Sequence, residues 1–175
     1  MEKEKQAEKD YAELIDLLNK YKVDYLVVGA YAVIQHTKIS RDTKDIDFWI
    51  RNTKNNAEKC SKVIKEFSGL NVSPEDLLAN DVINYLGVAP NRIDFFNTQG
   101  DLNFDKSFKN KCIGHFRGER VFYINIDDLI KAKKYYLSRD TRNLLDKEKD
   151  LKDIKRLKNC KTKKREGKEL RITKE

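Results

Sequence analysis

Proline and glycine are scarce in this chain. Its 175 residues include 2 Pro and 7 Gly, while 39% of them are apolar. Disordered and linker-rich chains are enriched in Pro and Gly and poor in aromatic and β-branched residues, so the composition excludes that class. The length suits one domain with a helical extension. We therefore expect a single domain over residues 1–160, followed by a basic, flexible tail over residues 161–175.

Cysteine is also scarce, and long apolar runs are missing. Cys60, Cys112 and Cys160 are odd in number and far apart, which is typical of reduced thiols rather than of disulfides or metal ligands. No run approaches the roughly 18 apolar residues that a membrane span needs. The charged N-terminus, MEKEKQAEKD, lacks the apolar core of a signal peptide. These features predict a cytoplasmic protein that does not enter membranes.

Basic residues outnumber acidic ones. The chain has 37 Lys and Arg against 29 Asp and Glu, a net charge of +8. Residues 161–175 hold seven basic and three acidic residues, so they supply +4 of this charge. An excess of positive charge suits a polyanionic partner such as nucleic acid or a nucleotide. A soluble protein with a lysine-rich surface has the same balance, and charge alone slightly favours this simpler interpretation.

Apolar periodicity predicts an α+β fold with a mixed sheet. Helical spacing indicates helices over residues 5–21, 30–36, 54–67, 126–138 and 146–158. Short apolar or alternating runs indicate strands over residues 25–29, 45–50, 82–88, 92–98, 111–117 and 120–125. Ser73, followed by Pro74 and two acidic residues, is typical of one further helix start. Strands and helices in this mixed order are typical of α+β proteins.

Two carboxylates alternate along one predicted strand. In DIDFWI (residues 45–50), Asp45 and Asp47 project from the same face, about 7 Å apart along the strand. Like charges so placed resist ionising together unless a cation compensates them, and Mg²⁺ prefers carboxylate and phosphate oxygens. Asp94 lies in a second strand of similar pattern, RIDFF. If the two strands are neighbours, three carboxylates converge; the alternative is an exposed strand face that is merely acidic.

Gly29 lies between a predicted strand and the helix that follows it. A glycine there lets backbone N–H groups approach a phosphate, and the helix N-terminus favours negative charge. The alternative is that Gly29 only permits a tight turn. Either interpretation places a glycine close upstream of the two-aspartate strand.

These elements together resemble small nucleotidyltransferase-fold proteins of the minimal and abortive-infection toxin kind. The resemblance rests on VVGAYAVIQH (residues 27–36), RDTKDIDFWI (41–50) and RIDFF (92–96), and on IDDLIKAKK (126–134) and KDLKDI (149–154) downstream. It implies a polymerase-β-like nucleotidyltransferase fold, with a mixed sheet flanked by helices and C-terminal closing helices. The family carries Gly-Gly or Gly-Ser after the first strand, whereas here the second residue is Ala30. The loop before Asp45 also looks one residue longer than the family pattern.

The resemblance implies roles for particular residues. Asp45, Asp47 and Asp94 would be the catalytic and metal-binding residues, holding two Mg²⁺ or Mn²⁺ ions. Gly29, Ala30, Arg41 and Lys133 would bind the nucleotide. Lys133 lies along the apolar side of its helix, where a lysine needs an anionic partner; the alternative is that it reaches outward to solvent, and Lys134 and Arg139 are other candidates for its role.

Several nearby residues have simpler interpretations. Arg41 could contact a phosphate or the acceptor, or it could bridge to Asp42 or a site aspartate. His36 matches a helix-end histidine of the family, but a lone histidine more often has a capping or core role. Asp150 and Asp153 are most simply helix-surface charges, although the resemblance implies that Asp150 orients Lys133. Two further residues, Tyr135 and Tyr136, could stack on a base or belong to the core.

The expected activity is transfer of a nucleoside monophosphate from an NTP to an acceptor hydroxyl. The acceptor would be an RNA end, a protein side chain or a small molecule, and a toxin–antitoxin context with an antitoxin partner fits the resemblance. The alternative function is a non-catalytic RNA- or protein-binding module on the same fold, which Ala30 and the basic tail favour.

Overall fold

Helices and strands alternate along most of the chain. The computed structural model describes residues 2–172, and the side chains of residues 6–164. Within that part the helices are α1 (Glu2–Lys20), α2 (Gly29–Thr37), α3 (Lys54–Ser68), α4 (Pro74–Leu78), α5 (Phe104–Lys109), α6 (Ile126–Leu137) and α7 (Leu144–Ile172). The strands are β1 (Tyr25–Val27), β2 (Asp45–Ile50), β3 (Asn84–Leu86), β4 (Arg92–Phe96), β5 (Cys112–Phe116) and β6 (Glu119–Tyr123).

The six strands form one mixed sheet in the order β3-β4-β2-β1-β6-β5. The two central strands, β1 and β2, are antiparallel, and each has a parallel neighbour, β6 for β1 and β4 for β2. Antiparallel strands β3 and β5 complete the two edges. The predicted α+β architecture with closing helices is therefore confirmed.

Apolar side chains from the strands and from α1 and α3 make up the core. Ile46, Phe48 and Ile50 are buried, as the alternation in β2 predicts. The Phe48 ring stacks on Phe95 of the neighbouring strand, with ring centroids 5.5 Å apart. Burying aromatic and branched side chains in this way supplies most of the free energy that favours folding.

The predicted helix start at Ser73 is confirmed in detail. The Ser73 hydroxyl accepts a hydrogen bond from the Asp76 backbone N–H at 3.1 Å, and the Asp76 carboxylate accepts from the Ser73 N–H at 3.3 Å. This reciprocal capping satisfies two N–H groups that have no partner inside the helix.

Helix α5 has no counterpart among the predicted helices. The Asn103 side chain caps it by accepting from the Lys106 N–H at 3.1 Å. The helix covers Trp49, whose ring meets Phe104 edge-on with centroids 5.1 Å apart. Trp49 projects from the same face of β2 as the aspartates, so α5 explains how this large ring is buried on an otherwise polar face.

Helix α7 is longer than the sequence predicts. It runs through the residues for which a flexible tail is expected, as far as Ile172. The flexibility of that tail stays a prediction, and its last residues, 173–175, lie outside the described part. None of the helices described for residues 2–172 has the length and apolar character that crossing a bilayer requires.

Candidate active site

The three aspartates lie on one face of two adjacent parallel strands. Asp47 of β2 is the register partner of Asp94 of β4, and Asp45 is the partner of Arg92. Residues paired in register on neighbouring strands project to the same face of a sheet. The structure therefore brings together the three carboxylates that the sequence singled out, and it adds Arg92 to the group.

Burial disfavours ionisation of two of these carboxylates, Asp47 and Asp94. Burial, followed by the neighbouring charges of Asp45 and Asp94, raises the pKa of Asp47 to about 7. Burial also raises the pKa of Asp94, although the Arg92 guanidinium opposes this shift. A divalent cation among these oxygens would compensate both effects, so the chemistry of the donor set suits Mg²⁺ or Mn²⁺.

Arg92 forms a salt bridge with one of the three carboxylates. Its Nε atom donates to Asp94 Oδ1 at 2.6 Å, and its guanidinium carbon lies 4.7 Å from the centre of the Tyr85 ring. Among the described residues, no three His, Cys, Asp or Glu side chains are arranged so that they could hold a metal ion. Arg92 takes up Oδ1 of Asp94 and competes with a cation for that carboxylate, and the metal assignment stays a prediction.

Gly29 makes close approach to Asp47 possible. Its backbone has φ +60, and a Cβ built there would lie 2.0 Å from Asp47 Oδ2. The left-handed conformation and the lack of space both favour glycine. Ala30 is buried in the first turn of α2. The N-terminus of a helix attracts phosphate, and here it begins beside a site carboxylate.

A cleft of about 330 Å³ opens beside these residues. Its walls carry apolar and polar side chains from β4, α6 and the segments between elements, including Val28, Gly29, Asp47, Val82, Ile83, Gln99, Lys133, Tyr136 and Arg142. Ligand clefts combine apolar walls with a few polar groups in this way. Tyr136 lies in the wall and donates to Gln99 Oε1 at 3.4 Å.

Lys133 lies inside the protein, so the outward-reaching alternative is wrong. Its side chain is 9% exposed, and its Nζ atom lies 3.0 Å from Asp150 Oδ1 and 2.8 Å from Asp153 Oδ2. The interpretation of Asp150 and Asp153 as surface charges is also wrong, because both are buried. The implied contact of Asp150 with Lys133 is present, with Asp153 as an additional partner.

Two arginines complete this charged network. Arg41 Nε lies 3.1 Å from Asp153 Oδ1, so Arg41 pairs with neither Asp42 nor the site aspartates. Arg142 contacts Asp150 Oδ2 through Nη2 at 2.8 Å. Breaking a buried pair by removing one partner typically costs about 3–5 kcal/mol, so this network fixes Lys133 at the cleft. A phosphate role for Arg41 stays a prediction.

His36 belongs to the core, as its simpler interpretation has it. Its Nε2 atom lies 2.7 Å from the Ile124 carbonyl oxygen. Burial lowers the pKa of His36, and the charges of Lys164 and Lys38 add to that effect. A neutral, buried histidine bonded to a backbone carbonyl joins α2 to the end of β6 rather than taking part in chemistry.

Sequence reasoning missed Arg92 and Arg142, and it placed Asp153 at the surface. Arg92 had a signal, because it lies two residues before Asp94 and therefore on the same strand face. Arg142 lies between α6 and α7, where no periodicity indicates which way a side chain points. Asp153 follows Asp150 by three residues, so the two lie on one helix face, but nothing local marks that face as buried.

Comparison of the whole chain with known structures shows its fold. A crystal structure of an antigenic nucleotidyltransferase-like protein from Paracoccidioides brasiliensis matches with a TM-score of 0.52 and 14% identity, over 86% of this chain and 74% of that one. The solution structure of the antibiotic-resistance factor ANT(2'')-Ia matches with a TM-score of 0.54 and 11% identity, over 98% of this chain and 99% of that one. The chain therefore has a nucleotidyltransferase fold, as predicted. No family model and no curated protein sequence matches it.

Proposed function

We propose that this protein transfers a nucleoside monophosphate from an NTP to an acceptor hydroxyl. The observation that carries the proposal is the pairing of Asp47 with Asp94 on adjacent strands, with Asp45 on the same face and a cleft beside them. Two of the solved structures that match the fold are named for a nucleotidyltransferase-like protein and for an antibiotic-resistance factor, and only the fold is taken from them.

The residues of the cleft have distinct tasks in this proposal. Lys133, held by its two buried aspartates, presents its ammonium to the phosphates, and the N-terminus of α2 at Gly29 adds its dipole. Asp45, Asp47 and Asp94 would hold two Mg²⁺ or Mn²⁺ ions. When bound, such ions neutralise the phosphate oxygens and the departing pyrophosphate.

The transfer is a single displacement at phosphorus. A bond forms between the acceptor oxygen and the α-phosphorus, while the bond from the α-phosphorus to the oxygen shared with the β-phosphate breaks. Pyrophosphate leaves, and the acceptor proton passes to a carboxylate of the site and from there to water.

Label transfer tests this activity. Wild type incubated with α-labelled NTPs, Mg²⁺ and total RNA or candidate proteins should label an acceptor, and Asp45→Ala/Asp47→Ala should abolish the labelling. Glu13→Ala/Asp16→Ala is a matched control, because it removes two exposed carboxylates of α1 and should label like wild type. Labelling that persists in the Asp45→Ala/Asp47→Ala variant would refute the proposal.

A non-catalytic role is the second candidate. The contact of Arg92 with Asp94 favours it, because an arginine already compensates one carboxylate without a metal. A binding module predicts RNA binding that depends on salt and survives loss of the site aspartates, without label transfer by wild type. The antitoxin partner and the toxin–antitoxin context stay predictions.

A further inference from the structure

A second and larger depression lies beside the site, with no lining residue in common with the cleft. It has a volume of about 840 Å³, and its walls come from α2, residues 38–44 and the β5–β6 hairpin. Thr43, one of its lining residues, donates from Oγ1 to Asp45 Oδ1 at 3.1 Å. One wall of this depression is therefore in direct contact with the Asp45 carboxylate.

The depression continues along α7. A second hollow, of about 340 Å³, shares the lining residues Ser40, Arg41 and Asp42 with the depression. A third hollow, of about 350 Å³, shares Arg156 with the second. We call these three hollows the basic groove. On the α7 side, Lys149, Lys152, Arg156 and Lys163 line it, at spacings that place them on one helix face. At 1.5 Å per residue this face extends for about 21 Å.

The groove carries unbalanced positive charge. Eight cationic side chains line it: Lys38, Arg41, Lys44, Lys149, Lys152, Arg156, Lys163 and Lys164. Within the side chains described, Arg41 pairs with Asp153 and Lys149 with Asp146, and the other six form no salt bridge. The acidic residues that line it are Glu8, Asp42 and Asp153. A concave surface of one sign concentrates a partner of the opposite sign.

Aromatic rings lie at the end of the groove that approaches the site. Tyr31 and Phe116 meet edge-on with centroids 5.5 Å apart, and both are partly exposed. Single-stranded nucleic acids bind to grooves that combine backbone-tracking cations with rings on which bases stack. An acidic peptide would satisfy the charges but would leave these rings without bases to stack on.

We propose that the basic groove binds a single-stranded polynucleotide and brings its terminal hydroxyl to Asp45. This proposal rests on the proposed function and names its acceptor. The terminal oxygen bonds to the α-phosphorus of the NTP, pyrophosphate leaves, and the hydroxyl proton passes to a site carboxylate. A chain end is favoured over an internal segment because the site carboxylates repel phosphates but accept a hydroxyl hydrogen.

Binding is measured first, without NTP, so that it does not depend on catalysis. Labelled RNA and DNA 12-mers with free 3′ hydroxyls are titrated by fluorescence anisotropy against wild type and Lys152→Glu/Arg156→Glu/Lys163→Glu. The variant should bind at least about tenfold more weakly. The slope of log affinity against log salt should fall by about 2, because each lost phosphate contact contributes about 0.7.

A control variant separates the groove from net charge. Lys54→Glu/Lys62→Glu/Lys65→Glu makes the same charge change on exposed positions of α3, which line none of the three hollows. It should keep most of the affinity, and an equal loss in both variants overturns the proposal. Phe116→Leu should weaken oligonucleotide binding by about fivefold or more. Displacement of the 12-mer by poly-glutamate of equal charge at equal concentration would show that the groove binds any polyanion by charge alone. That result would also overturn the proposal.

Transfer assays distinguish the groove from the proposed function. If the oligonucleotide binds in the groove but no nucleotide is transferred to any acceptor, polynucleotide binding by the groove is supported and the nucleotidyltransferase proposal fails. If Lys152→Glu/Arg156→Glu/Lys163→Glu extends the oligonucleotide with an unchanged KM, the nucleotidyltransferase activity is supported and polynucleotide binding by the groove is refuted. Extension of RNA, of DNA or of both supports the groove and identifies the polynucleotide.

Discussion

Gly29→Ala should damage the site much more than it damages the fold. The left-handed conformation at φ +60 costs an alanine about 1–2 kcal/mol. The new methyl carbon would also lie 2.0 Å from Asp47 Oδ2 and 2.9 Å from its carboxyl carbon. The Asp47 carboxylate lines the cleft, so it can rotate away from the methyl group. The cost in folding stability should therefore stay near 1–2 kcal/mol, while the carboxylate leaves its position beside Asp94.

Gly69→Ala provides the matched control. Gly69 ends α3 with φ +74, and nothing lies within 4 Å of a Cβ built there. The two variants should lose similar stability, a Tm decrease of about 2–8 °C for a chain of this size. Only Gly29→Ala should lose the thermal shift produced by NTP and Mg²⁺, with nucleotide affinity about tenfold lower or worse.

Thermal shift with ATP, GTP, CTP and UTP, each with Mg²⁺, measures both effects in one experiment. It also reports which base the cleft prefers. Wild-type nucleotide affinity in Gly29→Ala would refute the reasoning, because it would show that the position of Asp47 does not matter for nucleotide binding. Loss of affinity in Gly69→Ala to the same extent would show that general destabilisation is the cause.

Three further changes test other parts of the structure. Arg92→Gln should increase Mn²⁺ affinity on the order of tenfold, about 1.4 kcal/mol, because Asp94 loses its competing guanidinium; calorimetric titration that finds weaker binding contradicts this. Lys133→Met leaves two buried carboxylates with fewer cations and should lower the free energy of unfolding by about 3 kcal/mol in urea, whereas Lys131→Met, which removes an exposed ammonium, should cost less than about 1 kcal/mol. His36 has a folded-state pKa below its unfolded value, so the unfolded chain binds a proton first, and stability falls as pH drops below about 6.5. His36→Gln should remove this part of the pH dependence, and an unchanged difference in unfolding free energy between pH 8 and pH 5.5 would contradict it.

Local patterns were sufficient to predict much of the fold and part of the site. The alternation in β2 identified the faces of Asp45 and Ile46, and the capping residues at Ser73 identified a helix start. These features depend on residues close together in sequence, so their signal is present in the chain itself. The placement of Asp94 beside Asp47 came from the family resemblance, and strand pairing in the structure confirms it.

The charged network could not be predicted in the same way. Asp153 is 1% exposed, yet its neighbours in sequence include lysines and an arginine that are typical of an exposed helix face. Its burial follows from the position of α7 against α2 and α6, which no short pattern encodes. The same reason applies to Arg142, whose role depends on a partner eight residues away on a buried helix face.

The charged network at Lys133 also bears on how the protein is made. Its carboxylates belong to α7, while the aspartates on the strands are synthesised more than fifty residues earlier. A ribosome adds about 5–20 residues per second. For several seconds, therefore, a nascent chain has the strands that carry the aspartates but lacks α7, whose carboxylates hold Lys133. The central strand β1 likewise cannot pair with its parallel neighbour until β6 has been synthesised. The candidate site is therefore completed only after α7 has been synthesised, and a chain that ends before α7 lacks the two carboxylates that hold Lys133.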